Sequence, residues 1–512
     1  MLQVRNLSIT YKKDLRKLID NFNITFNRGD KVCLIGEEGN GKTTLLKWIY
    51  DENLISDYCE YEGQRIIENE KLAYLPQELN KEEKNKTIYE YFLEDDLFLD
   101  NTTKELLDIS NKLNIADDIF YSDKKLSELS GGELIKIQIA RLLISKGSFL
   151  LLDEPSNDLD LKTLNFLESF INNFEGIILF ISHDETLIEN TANRIIHLEL
   201  LNRKTKSIYT ISSLPYKEYI EQREYLFNRQ KSQAINDKKQ FDKKMERYRH
   251  VHDRVEHELR TITRQDPGSA RNLKDKMHTV KAMGRRFEKE KENLTKMPSQ
   301  EEAILLKFDD DIEIANNKKI LDLSIDELYS LDHRILSKNI KLEIIGPKKI
   351  CIIGDNGVGK TTLLKIINDI LINREDLNVF YMSQDYLNQI DDKLTPIEYL
   401  APNKSKDEIT LARSYLGAMR YTSDEMEHKI SNLSGGQKAK LFVLKMNLLK
   451  ANVLLLDEPT RNFSPLSNPV LRKVLKEYKG VIIAISHDRK FINIFDIIYE
   501  LNYEGLKNIT LG

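Results

Sequence analysis

The segments GEEGNGKTT (Gly36 to Thr44) and GDNGVGKTT (Gly354 to Thr362) are one phosphate-binding device written twice in a chain of 512 residues. Apolar runs, KVCLIG and KICIIG, lead into them, and helix-forming runs, TTLLKWIY and TTLLKIIN, follow. Strand, glycine loop and helix in that order make an anion cradle. Glycines let backbone N–H groups close on phosphate oxygens, and the helix start adds the positive end of its dipole. The pattern predicts two α/β nucleotide-binding domains that take ATP with Mg2+. Gly36, Glu37, Glu38, Gly39, Asn40 and Gly41 are expected to wrap phosphate in the first copy. Gly354, Asp355, Asn356, Gly357, Val358 and Gly359 are expected to do so in the second. Lys42 and Lys360 should neutralise the β- and γ-phosphates, and the hydroxyls of Thr43 and Thr361 should meet Mg2+, with Thr44 and Thr362 completing each loop.

The repeat extends beyond these loops. Lys42 and Lys360 are 318 residues apart, Gln77 and Gln384 are 307 apart, and Ser130/Ser434, Asp153/Asp457 and His183/His487 are each 304 apart. Five matched positions in one order imply one architecture twice. The first copy's 11 extra residues between lysine and glutamine, and 3 more before the serine, read as loop insertions. FLLLDE (Phe149 to Glu154) and VLLLDE (Val453 to Glu458) read as parallel strands buried on both faces and ending in two acids. Asp153 and Asp457 fit the holding of Mg2+ through water, and Glu154 and Glu458 fit general bases for the attacking water.

No apolar run reaches the roughly 18 residues of a membrane helix, and MLQVRNLSITY has no signal-peptide pattern. The expectation is a cytoplasmic protein. Cys33, Cys59 and Cys351 read as buried, reduced thiols rather than a disulfide or metal framework.

Residues from Tyr216 to Pro298 differ in kind. They carry about eight more basic than acidic residues, with apolar residues at helical spacing: Ile235, Phe241, Tyr248, Val251, Val255, Leu259 and Ile262. DPGSAR (Asp266 to Arg271) breaks that helix and starts another, with Ser269 or Asp266 as its cap. The second helix has Leu273, Met277, Val280, Met283 and Phe287 on one stripe. An antiparallel hairpin of about 45–60 Å follows at ~1.5 Å per residue. A solvated linker is the plain reading. A rigid basic prong for RNA is the sharper one, with Lys and Arg on phosphates and His250, His252, His257 and Arg264 near bases.

LSGGE (Leu129 to Glu133) and LSGGQ (Leu433 to Gln437) resemble the signature of ATP-binding-cassette proteins, and the resemblance covers essentially the whole chain. It implies Q-loop roles, including Mg2+ contact, for Gln77 and Gln384, and γ-phosphate contact for His183 and His487. It also implies adenine stacking for Tyr11, with core packing an equal rival reading for Tyr329, which has the same spacing. The signature residues Ser130, Gly131, Gly132 and Glu133, and Ser434, Gly435, Gly436 and Gln437, would meet ATP held by the opposite cassette. Closure would then build two sites. The second copy reads EPTRNFSP, placing Ser464 where the first, EPSNDLD, has Asp160. The site holding Lys42 is therefore expected to hydrolyse more slowly or to serve a holding role.

Tandem cassettes and a charged two-helix linker look like the ABC-F family. This implies a fold of two tandem ABC-type domains joined by a long antiparallel helical hairpin: 1–215, 216–298 and 299–512. PTRNFSPLSNP (Pro459 to Pro469) and DPGSARNLKDKMHTVKAM are similar to the family's antibiotic-resistance branch. The implied partner is the 70S ribosome, meaning rRNA and tRNA near the exit site, with neither membrane nor DNA. The two ATPase domains would pair within one monomer. The implied activity is protection from lincosamide, pleuromutilin and streptogramin A drugs. A housekeeping ABC-F translation factor and a transporter ATPase subunit remain the alternatives.

Overall fold

The computed structural model describes residues 1–510 apart from 38, 158, 202–205, 262–266, 296, 298–313, 331–332, 385–388, 420, 434 and 462. One six-stranded sheet occurs twice. In the first copy the strand order is Leu72–Leu75, Phe149–Asp153, Ile177–Ile181, Lys31–Ile35, Arg194–Leu200, Lys206–Ser212. In the second it is Val379–Met382, Val453–Asp457, Val481–Ile485, Lys349–Ile353, Ile497–Asn502, Gly505–Asn508. The first five strands run parallel and the last antiparallel in both. Every residue of Phe149–Asp153, Ile177–Ile181, Val453–Asp457 and Val481–Ile485 is buried. Burial on both faces is why these strands read as continuous apolar runs. Helices Lys42–Tyr50 and Lys360–Leu371 pack on the sheets through Leu45, Leu46 and Ile49, and through Leu363, Leu364 and Ile367. All three cysteines are buried and free. Among the described residues, no helix is long and apolar enough to cross a membrane.

The extra residues of the first copy are not a loop. Cys59–Ile67 is a strand that pairs antiparallel with Leu2–Tyr11, which also pairs with Lys17–Phe26. Among the described residues, the second copy has only the pair Lys319–Tyr329 and Ile335–Ile345. Five consecutive exposed residues, Glu60 to Gln64, hide the strand from a period-two reading.

The chain divides into two compact units, Met1–Tyr216 with Glu301–Gly512, and Lys217–Gln300. The first long helix is Tyr216–Thr261, 46 residues, which at ~1.5 Å per residue is about 69 Å and exceeds the expected length. The second is Pro267–Glu292, so Ser269 lies inside it rather than capping it. Proline suits a first helical position because its missing N–H would have no partner there. Asp266, Ile262 and Arg264 lie outside the described residues. The two helices run antiparallel, since Asp237 meets Thr295, Lys244 meets Glu290 and Tyr248 meets Phe287. The seam buries Ala234, Phe241, Val255 and Val280, while Ile235, Val251 and Met283 are exposed, against expectation. Gly284 takes the seam position beside Met283. A Cβ there would lie 2.5 Å from the Tyr248 hydroxyl, so a larger residue would require the end of that ring to shift.

Candidate nucleotide site

Both phosphate loops close in the same way. Lys42 Nζ donates to the carbonyls of Gly36 (2.8 Å) and Glu37 (3.1 Å), and Lys360 Nζ to those of Gly354 (2.8 Å) and Asp355 (2.9 Å). Gly36 and Gly354 have φ of 151° and 152°. A Cβ there would lie 2.4 Å from the Leu198 carbonyl oxygen and 2.3 Å from that of Leu501. Gly39 and Gly357 open onto free space, as a cradle requires. Asn40 anchors the first loop through Nδ2 to the Leu198 carbonyl (2.9 Å), while Val358 packs against the core of the second. Glu38 lies outside the described residues.

Behind the first loop, Asp153 is fully buried; it accepts from Thr43 Oγ1 (3.2 Å) and from the Tyr74 hydroxyl (3.2 Å). Burial, then the neighbouring Glu154 carboxylate, pushes Asp153 up to about 6. Glu154 meets His183 Nε2 (3.0 Å), Asn157 Nδ2 (2.6 Å) and Gln77 Nε2 (3.4 Å). Burial alone would raise this carboxyl, but His183, Lys42 and Asn157 outweigh it and bring it down to about 2. Glu154 and Glu458 both have positive φ, 52° and 50°. Two glutamates in the same sparsely populated conformation point to a constraint set by function. The hydroxyl of Thr43, the Asp153 carboxylate and the Gln77 amide form an oxygen donor set that suits a hard cation such as Mg2+.

The second copy's residues converge with the first copy's signature. Lys360, Thr361, Gln384, Asp457, Glu458 and His487 line one cavity of about 630 Å3 together with Ser130 and Gly131. Asn356, Gly357, Gly359 and Thr362 complete its loop wall. Ser130 opens helix Gly131–Ile144 in a capping box with Glu133, so Glu133 turns back on its own helix. Gln437 instead donates to Glu425 (2.7 Å) of the separate helix Ser423–Glu427. Gly132 has its Cβ direction filled by Thr163 Oγ1, at 2.6 Å. Gly435 and Gly436 begin helix Gly435–Leu448, and Ser434 lies outside the described residues.

The first copy's residues meet the second copy's diverged segment. His183 Nδ1 bonds the Phe463 carbonyl at 2.8 Å. Glu37 accepts from the hydroxyls of Ser464 (2.6 Å) and Ser467 (2.8 Å) and lies 3.5 Å from Lys440. Its carboxyl is held below the usual range: burial opposes this, while Lys440 and the two serines outweigh it. An ionised aspartate cannot donate, so serine at 464 follows from the acid it faces. In a Glu458→Gln chain, whose remaining turnover belongs to the site of Lys42, Ser464→Asp should set two carboxylates together and lower ATP turnover about tenfold, with Glu37→Gln restoring most of it. Across the other interface, Asp160 accepts from the Asn356 backbone N–H, and Lys162 pairs with Asp355 at 2.8 Å.

His487 lies 3.8 Å from Glu458. Burial, then the Lys360 charge, lowers its pKa to about 4. A histidine that binds its proton less well when folded stabilises the fold fully above 6.5 and progressively less as pH falls toward 4. Between pH 7 and pH 5 this should remove about 2 kcal/mol, measured by denaturant unfolding and absent in His487→Gln.

Tyr11 packs edge-on near Tyr58, with centroids 6.4 Å apart, and Tyr58 bonds Thr44. Tyr329 is 46% exposed and bonds Glu327, so it is not a core residue. Ser330 and Arg334 reach the cavity wall instead. Sequence reading passed over them, and over Tyr74, Asn157 and Ser467. Tyr74 and its counterpart Tyr381 stand three residues before Gln77 and Gln384, a repeated spacing that could have flagged both.

Two phosphate loops, each backed by a buried acidic strand end, define a twin-cassette P-loop ATPase. The sequence matches the ABC transporter family over residues 19–157 and 337–461. It is 30% identical to the ATP-binding protein Uup of Buchnera aphidicola over 515 residues, covering 96% of this chain and 78% of the relative. It is 26% identical to ABC transporter F family member 5 of Arabidopsis thaliana over 522 residues, covering 91% of this chain and 70% of the relative. A solved archaeal ribosome recycling factor, in complex with an archaeal ribosomal stalk protein, shares the fold with a TM-score of 0.57 at 16% identity, covering 98% of this chain and 90% of that one. The chain belongs to the ABC-F family of ATP-binding-cassette ATPases.

Proposed function

We propose that this ATPase binds the 70S ribosome at the tRNA exit site and protects it from peptidyl-transferase-targeting drugs of the lincosamide, pleuromutilin and streptogramin A type. The carrying observation is the 46-residue charged helix and its antiparallel partner, inserted in sequence between the two cassettes. A stiff, basic hairpin of this length suits contact with RNA phosphates better than it suits a tether. The ribosome recycling factor with the same fold and the F-family relatives add support.

In this reading Lys42 and Lys360 hold β- and γ-phosphates, and Tyr11 stacks on adenine. The signature serines Ser130 and Ser434 reach across to the opposite nucleotide. Glu154 and Glu458 accept the proton of attacking water, and His183 and His487 contact the γ-phosphate. Mg2+, held near Thr43, Gln77 and Asp153 and near Thr361, Gln384 and Asp457, would disperse phosphate charge. ATP favours the closed pair, and hydrolysis releases it. The site of Lys42, facing Ser464, turns over more slowly.

Co-sedimentation tests this reading. A Glu154→Gln/Glu458→Gln chain with ATP should travel with 70S ribosomes, and its absence from that peak defeats the proposal. Drug susceptibility of a host expressing the chain separates protection from a housekeeping translation role, which would leave susceptibility unchanged.

A further inference from the structure

The two cassettes carry opposite charges at equivalent positions on their facing surfaces. The offset of 304 residues that relates the copies beyond the signature carries Glu168 onto Arg472 and Glu185 onto Arg489. The surrounding steps match: Leu167 and Leu471, and Ile171 and Leu475, are all buried. Glu168 and Arg472 lie on helices Leu161–Asn173 and Asn468–Glu477, while Glu185 and Arg489 open the helices Glu185–Thr191 and Arg489–Ile492.

The contacts cross between copies. Arg472 meets Glu185 through two parallel bonds of 2.6 and 3.1 Å. Arg489 bonds Glu168 and stands 3.5 Å from Asp184. Lys490 adds Glu189 at 2.6 Å and Glu185 at 3.3 Å. Arg472 and Glu185 are 13% and 6% exposed, so a broken pair would strand a charge away from water.

Each contact therefore joins the helix-face position of one copy to the helix-start position of the other. Two identical cassettes would place glutamate on glutamate, or arginine on arginine, at both contacts. We propose that this reversal is a pairing code: it admits the first cassette against the second and rejects first-on-first and second-on-second pairing between molecules. The covalent connection then favours the partner in the same chain through its high effective concentration. The surface fits the other half of its own chain, and the code is independent of any ribosomal role.

Full-length Glu185→Arg, Arg472→Glu and the double swap test it by steady-state ATP turnover, with circular dichroism as the folding check. Each single reversal should lower turnover at least about tenfold. The double swap should return it to within about threefold of the starting chain. Glu168→Arg and Arg489→Glu, at the more exposed pair, give the same comparison if a variant of the buried pair fails to fold. Single reversals with undiminished turnover would overturn the code. So would a folded double swap no better than its worse parent.

Discussion

Glu154→Gln/Glu458→Gln should lower ATP turnover by about a thousandfold, within the range that removal of a general base produces. ATP binding should survive. Glutamine keeps the size of glutamate and the hydrogen-bonding reach to Asn157, His183 and Gln77, but cannot accept the proton of attacking water. The phosphate loops, formed by Lys42 and Lys360 with their own carbonyls, are untouched. Phosphate release from radiolabelled ATP and equilibrium ATP binding should therefore separate: the first collapses and the second holds. Loss of both together would place the two glutamates in binding rather than in proton transfer.

Gly354→Ala is the second large effect. Its φ of 152° is one that L side chains rarely adopt, and the added Cβ would sit 2.3 Å from the Leu501 carbonyl oxygen. That oxygen belongs to the neighbouring strand Ile497–Asn502, which is fixed in the sheet. The loop must move, and the Lys360 contact to the Gly354 carbonyl goes with it. ATP affinity at this site should fall at least about a hundredfold, about 2.7 kcal/mol. Fold stability should drop by about 3 kcal/mol as backbone strain enters. Gly357→Ala is the contrast: nothing lies within 4 Å of its Cβ direction, so the penalty is limited to its left-handed φ of 80°.

The parts legible in the sequence were those whose chemistry demands a local spacing. A phosphate loop needs its glycines, lysine and threonine consecutively, so Gly36 to Thr44 and Gly354 to Thr362 declare themselves without a fold. Other features depended on which surfaces meet. Cys59–Ile67 alternates too weakly to read as a strand, because most of it is exposed. Met283 fits an apolar stripe by hydropathy, but the seam takes Gly284 because the Tyr248 ring needs room. Ser464 looked like a defect at a catalytic segment; opposite Glu37, it is a hydrogen-bond donor matched to a carboxylate. The reversal of Glu168 and Glu185 into Arg472 and Arg489 can be seen in the repeat, but it acquires meaning only once the pairs are known to cross.

The central claim is that each cassette completes the other's nucleotide site, and the cavity shared by Ser130, Lys360 and Glu458 allows a direct measurement. In a Glu154→Gln chain, the turnover that remains belongs to Glu458. Adding Ser130→Arg, a change in the first cassette, should abolish that remaining turnover while circular dichroism stays unchanged. A Glu154→Gln/Ser130→Arg chain that folds and hydrolyses ATP as fast as Glu154→Gln alone would contradict the claim.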